Sequence, residues 1–219
     1  MKPEHVGVVI LAAGRSERMK EFKALLPFDR KERFLERIIS VYSGWGCKEI
    51  VVVTNQEMLK EIESRAGLGE KKGGTAKVEN KGRLPGLVTL VLNDHIEFGR
   101  FYSVKLGLSA IRESEFCFIQ NVDNPFVAKT ILDLIYRNRN AEAYISPVFN
   151  TRGGHPVLLN RNQVELIAGW PLDDANLKEM LNTMECIKVE MPDDRVLINI
   201  NSPEEYKRYF TDHSAMSYS

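Results

Sequence analysis

Cysteine is scarce. Of 219 residues only Cys47, Cys117 and Cys186 carry a thiol, far apart and with no CxxC pair. That excludes a zinc ribbon and a disulfide framework, and it suits a reducing cytoplasm. Long apolar runs are missing too. The longest, Val6 to Ala13, is far shorter than the roughly 20 residues a membrane helix needs, and it lacks the length and flanks of a secretory leader. Neither sign of charge is in excess: 30 Lys and Arg balance 30 Asp and Glu, which argues against a dedicated nucleic-acid binder. There is no internal repeat. The GxGxxG dinucleotide fingerprint is absent, and so is the GK[ST] ending of a Walker loop. Hydrophobic residues at 43% and charged residues at 27% leave a soluble globular chain, long enough to bury a large core without staples.

Along the chain, short β-like runs alternate with amphipathic ones. Val6–Leu11, Glu49–Thr54, Leu87–Leu92 and Phe116–Gln120 read as buried strands. Ala143–Val148, Pro156–Leu159, Ile187–Met191 and Val196–Ile200 are further strand candidates. Apolar residues spaced three or four apart predict helices over Lys31–Tyr42, Gln56–Ala66, Arg100–Glu113, Ala128–Asn138, Arg161–Ala168, Ala175–Met184 and Pro203–Phe210. The alternation implies an α/β fold: a Rossmann-like three-layer sandwich with a mostly parallel central sheet. Ligands of such sheets bind beyond the carboxyl ends of the strands. Gly67–Gly86 breaks the rhythm, with six glycines and five basic residues. It reads as a basic excursion or a small hairpin.

Chemistry-bearing residues cluster after the strands. The first strand leads into Leu11-Ala12-Ala13-Gly14-Arg15-Ser16-Glu17-Arg18-Met19, then Lys23 and Leu25-Leu26-Pro27. Small residues let backbone amides approach an anion, and Arg15, Arg18, Lys20 and Lys23 add positive charge. Asp123 follows the fourth strand within Asn121-Val122-Asp123-Asn124-Pro125-Phe126. A strand-end carboxylate there suits Mg²⁺, although an Asp in a turn also serves as a simple turn former. In Asn199-Ile200-Asn201-Ser202-Pro203-Glu204-Glu205, helix capping explains Ser202, Pro203 and Glu205 but not the two asparagines. His5, His95 and His213 show no ligand spacing.

The first of these segments resembles the signature LAAGxSxRMGxxKxLLP, with Lys20 in place of its last glycine. On that match the chain is similar to the MobA-like NTP transferases, of the nucleotide-diphospho-sugar transferase fold, and most to the molybdenum cofactor cytidylyltransferases among them. The resemblance implies that Ala12, Ala13, Gly14, Arg15 and Ser16 wrap the phosphates of an NTP. It implies that Arg18 and Lys23 contact those phosphates, and that Leu11 lies beside the base. Asp123 fits the family's DxPF aspartate and so implies a Mg²⁺ (or Mn²⁺) ligand, with Asn199 or Asn201 as a second contact. Asn93 and Ser103, the latter in Gly99-Arg100-Phe101-Tyr102-Ser103, match positions near base and sugar. Arg152-Gly153-Gly154-His155-Pro156-Val157 resembles an RGHPV run that borders the acceptor pocket, which makes Gly154 and His155 acceptor-side candidates. Leu172-Asp173-Asp174 departs from the family's basic stretch at that point, and Asp173 or Asp174 is left as a possible site residue.

The implied partners are an NTP and a small phosphorylated acceptor, with neither nucleic acid nor membrane. The implied reaction is transfer of NMP, CTP favoured as donor, to an acceptor such as molybdopterin with release of pyrophosphate. A sugar phosphate or polyol phosphate is the alternative acceptor, and a nucleotide-sugar-using glycosyltransferase or a non-catalytic nucleotide binder is the alternative class. Residues 1–210 read as a single nucleotidyltransferase domain with a flexible basic insertion near 67–86, followed by a polar tail, 211–219.

Overall fold

The computed structural model describes residues 5–14, 19, 21–66, 75–78 and 88–210. The expectations placed on Arg15, Ser16 and Arg18, on most of the 67–86 segment and on the 211–219 tail lie outside the described residues.

The elements run β1 (Val6–Leu11), α1 (Phe34–Trp45), β2 (Glu49–Thr54), α2 (Gln56–Ala66), β3 (Thr75–Val78), β4 (Val88–Leu92), α3 (Gly99–Ser109) and β5 (Phe116–Asn121). There follow α4 (Lys129–Arg137), β6 (Tyr144–Phe149), β7 (Arg152–Gly153), β8 (Val157–Asn160), α5 (Arg161–Ala168), α6 (Leu177–Asn182), β9 (Cys186–Glu190) and α7 (Pro203–Phe210). One sheet holds all of these strands in the order β3-β4-β2-β1-β5-β8-β6-β7, with β9 beside β6. Its centre, β4-β2-β1-β5, is parallel throughout. β3 runs antiparallel to β4, β8 to β5 and β6, and β7 to β6.

Side chains alternate across this sheet and divide between two cores. Val6, Val8, Ile10, Ile50, Val52 and Phe118 pack on one face against α1 and α4, through residues such as Ile38, Tyr42, Leu132 and Ile135. Val9, Val51, Val53, Cys117 and Ile119 pack on the other against α3 and α5, through Val104, Leu108, Val164 and Ile167. Helices on both faces make the three layers. α3 lies close on the sheet at Gly107, where a Cβ would stand 2.3 Å from Val9 Cγ1 and 2.8 Å from Val53 Cγ2, so only glycine fits there without the strands shifting. An aromatic cluster of Phe28, Phe34, Phe126, Tyr206, Tyr209 and Phe210 ties α7 to the segment ahead of α1.

Several boundaries differ from the sequence reading, three of them for a clear local reason. α1 begins at Phe34 rather than Lys31, because Asp29 Oδ1 accepts from the amides of Lys31 and Glu32, both at 2.7 Å, and holds a turn there. α3 ends at Ser109 rather than Glu113, because Ala110 N and Ile111 N fall back on Gly107 O and Leu108 O and the amides of Arg112, Glu113 and Ser114 then turn to Glu49. Val196–Ile200 is not a strand. It opens as a 3₁₀ turn, Asp194–Leu197, whose first amides are capped by Asp193 accepting from Arg195 N at 3.1 Å. The three cysteines are free, and no helix among the described residues is long and apolar enough to cross a membrane.

Glu49 fastens β2 to the turn before β5. Its carboxylate accepts from the amides of Arg112 (2.7 Å), Glu113 (3.0 Å) and Ser114 (2.8 Å) and from the Ser114 hydroxyl (2.6 Å). Desolvation raises its pKa, but these four donors outweigh it and hold the group below its ordinary value. A depressed carboxylate contributes stability at pH above its unfolded pKa and loses it as pH falls through the folded one. Glu49→Gln is therefore expected to cost about 1–3 kcal/mol in urea unfolding at neutral pH. The gap to the parent is expected to close on acidification below the ordinary carboxylate range. A gap independent of pH would exclude the charged carboxylate as its source.

Candidate active site

The chain leaves β1 for β2 and β4 on one side and returns to β5 on the other. Such a reversal opens a crevice at the carboxyl ends of the two neighbouring strands. Ala12 N donates to Val53 O at 2.8 Å, while Val122 N donates to Leu11 O at 3.2 Å, so the two loops part just beyond Leu11. A cleft of about 520 Å³ lies there. Leu11 lines it from the end of β1 and Ala12, Ala13 and Gly14 from the loop that follows, Lys23 from the 3₁₀ turn Lys23–Leu25, Asn93 from just after β4, Ser103 from α3, and Asp123 from just after β5.

Lys23 stands at the meeting point. Its Nζ donates to Asn201 Oδ1 at 2.6 Å and to Asp123 Oδ2 at 3.3 Å. The Lys23 and Asp123 side chains are only 15% and 24% exposed, so their attraction is less screened than that of a surface pair. Asp123 Oδ1 is buried and has no hydrogen-bond partner among the described residues. An orphaned carboxylate oxygen is costly to bury and fits a cation. No group of three or more His, Cys, Asp or Glu side chains is arranged for a metal among the described residues. The donor set here is thus one carboxylate and one amide oxygen, which fits an ion that takes its remaining ligands from phosphate and water, as Mg²⁺ does.

The two asparagines left open by sequence part company. Asn201 joins Lys23 and Asp123. Asn199 lines a second cleft, with Arg152, Arg208 and Asp194, and donates to Leu197 O at 3.3 Å. Among the sequence candidates, Leu11, Ala12, Ala13, Gly14, Lys23, Asn93, Ser103 and Asp123 share one cleft. Asn93 Nδ2 donates to Ser103 Oγ at 2.8 Å while its Oδ1 accepts from His95 N. The Ser103 hydroxyl proton remains available to a ligand. His155 is not among the residues that line the cleft, but its Nε2 stands 3.4 Å from Nη2 of Arg100, which does line it. Gly154 is pressed against the 3₁₀ turn after β9, where a Cβ would stand 2.4 Å from Val196 O. Asp173 pairs with Lys105 on α3 at 2.6 Å. Neither Asp173 nor Asp174 lines the cleft.

Three further residues shape the site. Asn55 sits between β2 and α2, donates to Ala13 O at 3.0 Å and accepts from Met58 N at 2.8 Å. It pins the small-residue loop to the start of a helix, and its place between a strand-like and a helix-like run was the available signal. Arg100 lines the cleft, and nothing in the apolar spacing of its helix marks it. Asn124 donates to Arg195 O at 3.0 Å and Ile198 O at 2.6 Å, and its own carbonyl accepts from Gln120 Nε2 at 2.9 Å. Tyr42 OH donates in turn to Gln120 Oε1 at 3.0 Å. This buried chain holds the 195–198 turn over β5. Ile200 N then reaches Asp123 O at 2.7 Å and Asn201 falls beside Lys23. Asn124→Leu strands two carbonyls and is expected to lower the unfolding free energy by about 1–3 kcal/mol, measured in denaturant. A stability equal to the parent's would mean that the turn holds without it.

Comparisons with known proteins identify the family and the fold. Residues 8–188 match the model of the MobA-like NTP transferase domain. The chain is 25% identical over 201 residues to the molybdenum cofactor cytidylyltransferase of Escherichia coli (strain K12), covering 92% of this chain and 93% of the relative. Its fold is similar to that of molybdopterin-guanine dinucleotide biosynthesis protein A from Archaeoglobus fulgidus, with a TM-score of 0.66, 16% identity, and 96% of this chain and 100% of that one covered. It is also similar to Rv0371C of Mycobacterium tuberculosis H37Rv, solved in complex with manganese, with a TM-score of 0.66, 18% identity, and coverage of 94% and 98%. With most of its length inside the family model and its cleft at the sheet's reversal point, this chain belongs to the MobA-like NTP transferase family.

Proposed function

We propose that this chain transfers NMP from an NTP, CTP favoured, to a small phosphorylated acceptor such as molybdopterin, with release of pyrophosphate. The observation that carries the reading is the meeting of Lys23, Asp123 and Asn201 beside the Ala12–Gly14 loop. Resemblance to a cytidylyltransferase favours CTP and molybdopterin over other bases and acceptors. A setting in the cytoplasm accords with the free cysteines.

An oxygen of the acceptor phosphate attacks the α-phosphorus. The bond from that phosphorus to the bridging oxygen breaks, and pyrophosphate leaves with the electron pair. The attacking phosphate is already anionic, so the reaction needs alignment and charge neutralisation rather than a strong base. Lys23 neutralises charge gathering at the α-phosphate. Backbone amides of Ala12, Ala13 and Gly14, with Arg15, Ser16 and Arg18, hold the leaving phosphates. Asp123 and Asn201 would hold Mg²⁺ or Mn²⁺, which supplies charge neutralisation on the phosphate oxygens; a structural neighbour solved with manganese favours such a site. Leu11, Asn93 and Ser103 receive the base and sugar, Ser103 with its remaining O–H.

The first test is thermal unfolding with ATP, CTP, GTP and UTP, each with and without Mg²⁺. A ligand at a hundred times its Kd adds roughly 2.7 kcal/mol, a visible shift. The expected outcome is a shift selective for CTP and larger with the metal, and no shift with any of the four would overturn the reading. Lys23→Ala is expected to cut pyrophosphate release by roughly 10²–10³ while unfolding at nearly the parent's temperature. Undiminished release would remove Lys23 from the reaction. Asp123→Asn is expected to move the Mg²⁺ titration of nucleotide binding to higher concentration. If the two titrations overlay, Asp123 is not the ligand.

A further inference from the structure

Two cations line the cleft among its described residues, and they differ in what they face. Lys23 is engaged by Asp123 and Asn201. Arg100 is exposed to solvent at the first turn of α3, and its one polar contact among the described residues is His155 Nε2, 3.4 Å from its Nη2. Charge-assisted bonds from a guanidinium run to about 2.7–2.9 Å, so 3.4 Å is a poor hydrogen bond. It is, however, a natural separation for two donors that share one acceptor atom.

The imidazole is held for such a role. His155 N donates to Val196 O at 2.9 Å and Gly154 N to Pro147 O at 2.8 Å, so the backbone on both sides of the ring is fixed to β6 and to the 3₁₀ turn. Nδ1 is buried and has no partner among the described residues. A buried N–H without an acceptor is the costlier orphan, which puts the single proton of the neutral ring on Nε2, the nitrogen beside Arg100. Burial first, and the charge of Arg100 second, lower the pKa of His155 to about 3, so the ring stays neutral across the working range. Arg100 lines the same cleft as Asp123.

We propose that Arg100 Nη2 and His155 Nε2 form an anion subsite in which both donate to one oxygen of the acceptor's phosphate monoester. The proposal rests on the nucleotidyl-transfer reading for its choice of ligand. The donor's own triphosphate offers the same chemistry, and the test separates the two sources. Arg100 is then a specificity residue: an acceptor without a terminal phosphate leaves its charge unpaired in the cleft.

The experiment measures two affinities by calorimetry on the full chain: α,β-methylene CTP with Mg²⁺, and inorganic phosphate with and without that nucleotide. The parent, Arg100→Gln, Arg100→Lys, His155→Gln and His155→Leu are compared, each checked for unchanged thermal unfolding. Loss of a charged hydrogen-bond donor is worth roughly tenfold or more in affinity. Arg100→Gln is expected to weaken phosphate binding by about that factor and leave nucleotide binding within about twofold of the parent's. Arg100→Lys, which keeps the charge but not the planar fork, is expected to fall between. His155→Gln, which keeps an N–H, is expected to retain phosphate, and His155→Leu to lose it. Weakened nucleotide binding with phosphate unchanged would overturn the proposal and move Arg100 to the donor triphosphate, and absence of phosphate binding in the parent would overturn it outright. Failure of the transfer reading looks different: the nucleotide does not bind the parent, yet phosphate still binds the nucleotide-free protein and still depends on Arg100.

Discussion

Everything at the site depends on the parallel ladder between β1 and β5. It pairs Leu11 with Asn121 at the last register position. One step further the chains can no longer bond to each other in that pattern, and they part: one into the Ala12–Gly14 loop, the other into Val122 and Asp123. The amides of the first loop and the carboxylate of the second are thereby set on opposite walls of one cleft. Neither loop has a regular structure of its own. Their relative position is that of two strands whose inner residues, Val8 to Ile10 and Cys117 to Gln120, are fully buried, and buried strands of this kind are the most rigid part of a fold.

The second layer of placement is polar and comes from the other end of the chain. The segment at 195–201 carries no strand of its own, yet it must bring Asn201 to Lys23. Asn124 achieves this by taking two carbonyls of the turn, and Gln120 and Tyr42 hold Asn124 from behind. α7 fastens the far side, with Tyr206 and Phe210 packed on Phe34 and Phe28. Apolar contacts fix how close the segment lies, and the buried hydrogen bonds fix its register. An amide slipped by one residue would leave the donors of Asn124 unmatched, which is the asymmetry between made and missing hydrogen bonds at work.

How legible this was in the sequence follows from range. The longer strands are apolar runs and the seven helices carry an apolar spacing of three or four, both local patterns, whereas β3 and β7 are too short and polar to show one. The loop from Leu11 to Lys23 and the Asp123 turn were legible because their residue types are unusual for strand ends. The segment at Val196–Ile200 was misread as a strand because alternating aliphatics look the same in a strand and in a turn held by distant partners. Asp193, the capping residue that decides it, was visible but unweighted. Arg100 was illegible for a different reason. It lies in a helix whose apolar spacing is satisfied without it, and its meaning comes from a residue 55 positions away. The choice between Asn199 and Asn201 likewise needed Lys23, 178 positions earlier in the chain.

β3 bears on the other side of the sheet from β5. It pairs Thr75–Val78 antiparallel with Val88–Val91, along the side of β4 opposite β2. β4 is short, apolar and largely buried, and such a strand with a bare edge is a template for another chain. Thr75–Val78 takes up the hydrogen bonds of that edge with backbone of the same chain, which makes β4 an interior strand and passes the edge to β3. Removing Thr75–Val78 would return β4 to the edge and bare its outer backbone groups, only two residues before Asn93 in the cleft.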